Sequence, residues 1–180
     1  ALSFICNELN SSHSLLDVTD EYNDTLSERF VRKIITHVKK GETAAVLGLA
    51  YKPLSHIVEE SQSILLAKAL SDAGLRVIGY DPLAADEARP VLQYHTLVED
   101  SLKNTLKDAS IVLVANNDDI FKSLTPEQVL SGEKEVKVVD FWRCLGDDFK
   151  NHPQIDYIPI GKCNDPNLNY DKLKSLWGQL

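Results

Sequence analysis

The sequence predicts an α/β fold: a Rossmann-like, mostly parallel sheet flanked by helices and preceded by a long N-terminal helix. Three observations predict it. Residues 44–49 (AAVLGL) form a short unbroken apolar run, the pattern of a parallel strand buried on both faces. A helix pattern follows, with Ser61 at a capping position, Ile64, Ala67 and Leu70 at three-residue steps, and Gly74 where a helix stops. Residues 76–80 (RVIGY) then return as a second strand ending in Asp81-Pro82, so residues 44–82 read as one βαβ unit.

The remaining elements follow in order. Residues 15–40 contain neither Gly nor Pro, and Leu26, Phe30, Ile34 and Val38 recur every fourth residue, with Val31 and Ile35 widening the stripe. This predicts one helix of roughly 40 Å at about 1.5 Å per residue, ended by Gly41. A helix so long with a broad apolar face needs a partner, either the body or a second copy of itself. The chain therefore divides into a helical arm over 1–41 and an α/β body over 42–180. Beyond Pro82, residues 83–90 predict a loop with a helical turn, 94–98 an edge strand, 100–107 a short helix and 111–115 a further strand. Thr125-Pro126-Glu127-Gln128 places a capping residue before a proline, which starts a helix stopping near Gly132. Strands over 136–140 and 157–160 complete a sheet of about five or six strands. Residues 164–167 break the pattern, and 171–177 add a last helical turn or two.

Composition narrows the function classes. With 180 residues, 43% of them hydrophobic, the chain can bury one core of ordinary domain size. A net charge of -8 with no basic run argues against nucleic acid, whose phosphates are held mainly by Lys and Arg. No window approaches the apolar length of a membrane span, and no basic-then-apolar leader opens the chain, so a soluble protein without a membrane partner is expected. Cys6, Cys144 and Cys163 are odd in number and lack any C-x-x-C or His-pair spacing, which points to reduced thiols in the cytoplasm and to no metal site.

Ligands of such sheets bind outside the carboxyl ends of the strands, which puts residues 51–61 and Asp81 at the edge of any site. Lys52 follows the first strand directly and precedes Pro53, so a stiff turn fixes its position. Glu60 is favoured by the helix dipole whatever its function, and Ser61 reads as a cap before it reads as a ligand. Arg143 lies at the carboxyl end of a predicted central strand and carries a planar fork suited to phosphate. Trp142 reads chiefly as packing beneath the domain. His56 reads as a surface residue, residues 116–119 as a loop at the ligand edge, and Tyr80-Asp81-Pro82 as a turn.

The words GLAYKP (48–53), EES (59–61) and YDP (80–82) resemble the C-terminal domain of the UDP-glucose/GDP-mannose dehydrogenase family. The likeness continues through residues 108–114, through Asp119 and Phe121-Lys122, and through the strand ending Val138-Val139-Asp140. Upstream, Tyr22-Asn23-Asp24 and Arg29-Phe30 resemble that family's long central helix. The resemblance implies a nucleotide-sugar, carrying UDP or GDP, that is oxidised at the sugar C6 to a uronate with NAD as oxidant. It implies Tyr51, Lys52, Glu60, Ser61 and Arg143 as substrate-binding residues, and a homodimer formed through the long N-terminal helix. NAD would be bound by an N-terminal domain preceding this chain, since no G-x-G-x-x-G turn occurs here. The catalytic cysteine motif, G-G-x-C-F-x-K-D, is likewise expected upstream of Ala1; Cys6 lacks its sequel and lies on an apolar helical face. No catalytic or cofactor-binding residue is therefore expected in this chain, which would be inactive alone.

Two departures stand out. Where most members read T-D-D-x-R-E-S, this chain has Ser55-His56-Ile57-Val58-Glu59-Glu60-Ser61, an Arg-to-Glu reversal beside a diphosphate site. The family's D-x-R pattern would place Arg where Trp142 stands, one residue before Arg143. A non-catalytic nucleotide-binding or oligomerisation module is the alternative function.

Overall fold

The computed structural model describes residues 2–130, 134–162 and 166–177. Its centre is β1 (Thr43–Leu47), buried along its whole length. On one side β1 pairs in parallel with β2 (Arg76–Tyr80), and β2 with the edge strand β3 (Thr96–Val98). On the other side it pairs with β4 (Ile111–Val114), then come β5 (Val136–Asp140) and β6 (Ile155–Pro159), all parallel. The six-stranded order is β3-β2-β1-β4-β5-β6. The chain winds outward in one direction from β1 to β3 and in the other from β4 to β6, so the carboxyl ends of β1 and β4 part at a topological switch point, where open α/β sheets bind ligands.

Alternation along the strands sends side chains to two cores. Ala44, Val46, Val77, Ile111, Leu113 and Val139 face one helical layer. That layer holds α4 (Gln62–Asp72), α5 (Ala85–Leu92) and α3 (Leu26–Ile34). Ala45, Leu47, Tyr80, Val112, Val114 and Val138 face the other, which is closed by Leu106, Phe121, Val129 and Phe149. These come from α6 (Leu102–Leu106), α7 (Asp119–Lys122), α8 (Pro126–Val129) and α9 (Asp147–Asn151). Burial of both sheet faces is why β1 and β4 read as continuous apolar runs instead of alternating ones.

The N-terminal region departs from the expected single helix. α1 (Leu2–Glu8) is separate, and residues 14–37 form α2 (Ser14–Asp24), then α3, then a 3₁₀ turn over Ile35–His37. The break lies at Thr25, whose hydroxyl donates to the Glu21 carbonyl at 3.0 Å. Such back-bonding by Thr competes with the regular ladder and bends helices. The stripe that suggested self-association is also covered within the chain: Val31 and Ile34 belong to the core, and Phe30, Ile35 and Val38 pack against it. Phe30 meets Phe141 edge-on with ring centroids 5.0 Å apart.

Elsewhere the differences are local. α5 runs from Ala85 to Leu92 with Pro90 inside, a full helix instead of one turn. α7 and α9 are too short for their periodicity to show. α8 does open with the Thr125/Gln128 capping box but ends at Val129; Gly132 lies outside the described residues, as do Cys163, Asn164 and Asp165. A last helix, α10 (Pro166–Trp177), begins at the proline expected to break the pattern, where a missing N–H costs nothing.

Candidate functional site

At the switch point the chain leaves β1 through Gly48, with φ +91°, its N–H bonded to the Tyr80 carbonyl at 2.8 Å. A Cβ on Gly48 would sit 2.2 Å from that of Asn116, so the turn and the end of β4 interlock. The next two residues, Leu49 and Ala50, are buried, and side chains from three other segments satisfy all four of their backbone polar groups. One carboxylate oxygen of Asp81 accepts from the Leu49 and Ala50 N–H groups at 2.8 and 3.0 Å. Ser61 donates to the Leu49 carbonyl at 2.8 Å, and the Asn116 amide donates to the Ala50 carbonyl at 3.3 Å. The second Asp81 oxygen accepts from Leu83 and Ala84 at 2.9 and 2.8 Å, so the expected turn is present as well.

Tyr51 and Lys52 emerge from this anchored pair and are exposed. The loop they open closes on itself, Tyr51 N–H donating to the Ile57 carbonyl at 2.8 Å. Asp118, at the N-terminus of α7, accepts from the Leu54 N–H at 3.4 Å and ties the loop to the segment after β4. Leu54 and Glu60 take left-handed conformations, φ +56° and +58°, which cost a β-carbon-bearing residue free energy and sharpen the loop at both bends. Glu60 is exposed, as are His56 and Glu59. Ser61 holds the N-cap position of α4, but its hydroxyl makes no capping bond: the buried Leu49 carbonyl takes it instead. Ser61 is 2% exposed, with its hydroxyl committed inward.

Arg143 stands apart from these residues. It follows β5, which β4 separates from β1, or about 10 Å at ordinary strand spacing. Its backbone is left-handed at φ +54° and its guanidinium lies beside Gly161, beyond β6. The structure thus gathers Tyr51, Lys52, Glu60 and Ser61 on one loop and turns Arg143 toward the opposite edge.

The end of β5 is organised by Asp140, which is fully buried. It accepts from the Trp142 and Leu145 N–H groups, each at 3.0 Å, and from the Tyr157 hydroxyl at 2.9 Å. Burial, with the hydrogen bond and charge of Asp140, raises the Tyr157 phenol above its ordinary range. Burial and then the Asp140 charge push the Cys144 thiol up to about 11. Trp142 does not pack beneath the domain: it is 52% exposed, and its indole N–H donates to the Ala115 carbonyl at 3.0 Å. It walls a pocket of about 230 Å³ with Leu26, Phe30, Gln62, Ser63 and Phe141. Among the described residues no group of His, Cys, Asp and Glu could hold a metal ion, and no helix is long and apolar enough to cross a membrane.

Asp81 and Asn116 are the residues whose importance the sequence understated. A strand-terminal acid was visible, but not that its carboxylate would hold the backbone leaving the adjacent strand β1.

A doubly wound parallel sheet with a tethered loop at its switch point defines a Rossmann-like α/β domain. The UDP binding domain of the UDP-glucose/GDP-mannose dehydrogenase family matches residues 45–147, and the chain belongs to that family. The UDP-glucose 6-dehydrogenase of Haloferax volcanii is 38% identical over 117 residues, covering 63% of this chain and 26% of that protein. That of Rhizobium meliloti is 28% identical over 151 residues, covering 82% of this chain and 34% of that protein. Among solved structures, a GDP-mannose dehydrogenase ternary complex from Pseudomonas aeruginosa superposes with a TM-score of 0.67 at 19% identity, over 87% of this chain and 36% of that one. The chain thus spans about a quarter to a third of the proteins it matches, in their C-terminal, UDP-binding part.

Proposed function

We propose that this chain is the nucleotide-sugar-binding part of a cytoplasmic, NAD-dependent nucleotide-sugar 6-dehydrogenase that oxidises a sugar nucleotide to a uronate. The observation that supports this most is the coincidence of the family match over 45–147 with a tethered Tyr51-Lys52 pair at the switch point. Lys52 presents a cation that can meet a diphosphate, and the neighbouring Tyr51 ring offers an exposed aromatic face for a base or sugar. The chain's own contribution is positioning: it holds the nucleoside diphosphate so that the sugar reaches reactive groups elsewhere in the enzyme. Neither the family's cysteine motif nor a dinucleotide turn is present in these 180 residues, so in this reading the reactive cysteine and the NAD site are supplied from outside them. The parent works as a homodimer in this reading.

Calorimetric titration tests it. The chain should bind UDP more tightly than NAD, and it should form no NADH with UDP-glucose, GDP-mannose or N-acetylated UDP-sugars. A preference for NAD, or turnover of any of these sugars, would overturn the assignment. The replacement of the loop's Arg by exposed Glu59 favours a second reading, a non-catalytic assembly module. Failure to bind any nucleotide at millimolar concentration, with self-association intact, would select that one.

A further inference from the structure

We propose that Ser61 and Asn116 are positioning residues for the ligand-binding loop: through the Leu49–Ala50 peptide they fix the direction in which Tyr51 and Lys52 leave the sheet. The inference rests on the reading of Tyr51 and Lys52 as nucleotide contacts. A strand end that opens to solvent needs no side chains to satisfy it, because water does so. Here Leu49 and Ala50 are 0% and 4% exposed, so their polar groups require partners inside the protein. Neither a neighbouring strand nor a helix supplies them. They come from Asp81 after β2, Ser61 before α4 and Asn116 after β4.

Asn116 carries the inference furthest. The residue is 4% exposed, its amide nitrogen is used on the Ala50 carbonyl, and its carbonyl oxygen is buried without a protein partner. An unpaired buried acceptor is destabilising, and an apolar residue of similar shape would remove that cost. Packing alone therefore does not account for Asn here; the bond to Ala50 does. Ser61 shows the same diversion, holding a helix N-cap position while spending its hydroxyl on Leu49. With both peptide planes held, Tyr51 and Lys52 project from a rigid base although their side chains are exposed. Preorganisation of this kind raises affinity by reducing the ordering cost on binding.

The test uses this chain with Ser61→Ala and Asn116→Ala, each alone and each combined with Lys52→Ala. Amide hydrogen exchange reports the base directly. Protection of Ala50 and Tyr51 should fall by about tenfold in either variant, while Val46 and Leu113 in the central strands keep theirs. UDP affinity by calorimetry should weaken by about tenfold in each single variant and by clearly less in the Lys52→Ala background, where only Tyr51 remains to be positioned, since groups acting through one another are not additive. Unchanged protection would overturn the clamp. Lost protection with unchanged UDP affinity, or an equal loss in the Lys52→Ala background, would overturn the positioning role and leave a structural one. If Lys52→Ala itself leaves UDP affinity unaltered, the reading of Lys52 as a nucleotide contact fails first, and the positioning role fails with it.

Discussion

Asp81 carries more backbone than any other side chain described, accepting four N–H groups across two loops. Replacing it by alanine would leave those donors buried or half-buried without partners. Asp81→Ala should therefore lower stability by about 3 kcal/mol or more, read as a lower urea midpoint with an unchanged slope. An effect under 1 kcal/mol would mean water reaches these groups. Cys144 gives a second prediction. Its pKa is raised in the folded chain from an ordinary 9.0 to about 11, so the thiolate is favoured in the unfolded chain. The associated stability is complete below pH 9 and is lost as pH rises toward 11; Tyr157 acts in the same sense above its ordinary range. In a Cys6→Ser, Cys163→Ser background, alkylation of Cys144 should reach half its maximal rate near pH 11. A midpoint near the ordinary value would show that the thiol is not desolvated.

At the scale of elements, legibility follows local periodicity. β1, α4 and β2 were readable because burial on two faces, an apolar stripe and a terminating Gly74 all pointed the same way. α7 and α9, at four and five residues, are held by the burial of Phe121 and Phe149, and no window that short carries a period. The long helix was misread because Thr25 is tolerable in a helix by propensity, while its hydroxyl's choice of the Glu21 carbonyl is a structural event. Turns separate in the same way. Gly41 and Gly48 both have positive φ, but nothing lies within 4 Å of a Cβ at Gly41, whereas at Gly48 it collides with Asn116. Gly41→Ala should cost about 1 kcal/mol from backbone conformation alone. Gly48→Ala should cost more than about 2 kcal/mol, because Asn116 cannot retreat without releasing Ala50. Chemical unfolding of the two variants side by side decides it; equal losses would show that the turn and β4 do not interlock.

Over the whole molecule, the sheet and the loop at its switch point were legible, because parallel order follows from βαβ pattern. The convergence of Asp81, Ser61 and Asn116 was not, since it joins residues far apart in sequence. Nor was the true position of the uncovered apolar surface. The Leu26–Val38 stripe spends itself on α4 and the core, so Phe30→Asp should lower stability by about 3 kcal/mol and is a poor probe of assembly. Apolar side chains stay exposed on the two helices before it: Phe4 at 67%, Ile5 at 51%, Leu15 at 79% and Val18 at 62%. Exposed apolar side chains on two helices that touch each other offer a candidate interaction surface, which moves the proposed dimer contact from α3 to α1 and α2. Sedimentation at micromolar concentration should show a dimer for the unmodified chain and a monomer for Leu15→Asp with Val18→Asp. The urea midpoint of that double variant should fall only by what dissociation removes, since neither residue belongs to the core. A monomeric parent chain would end the dimer proposal, while a dimer that survives both charges would place the contact on another face.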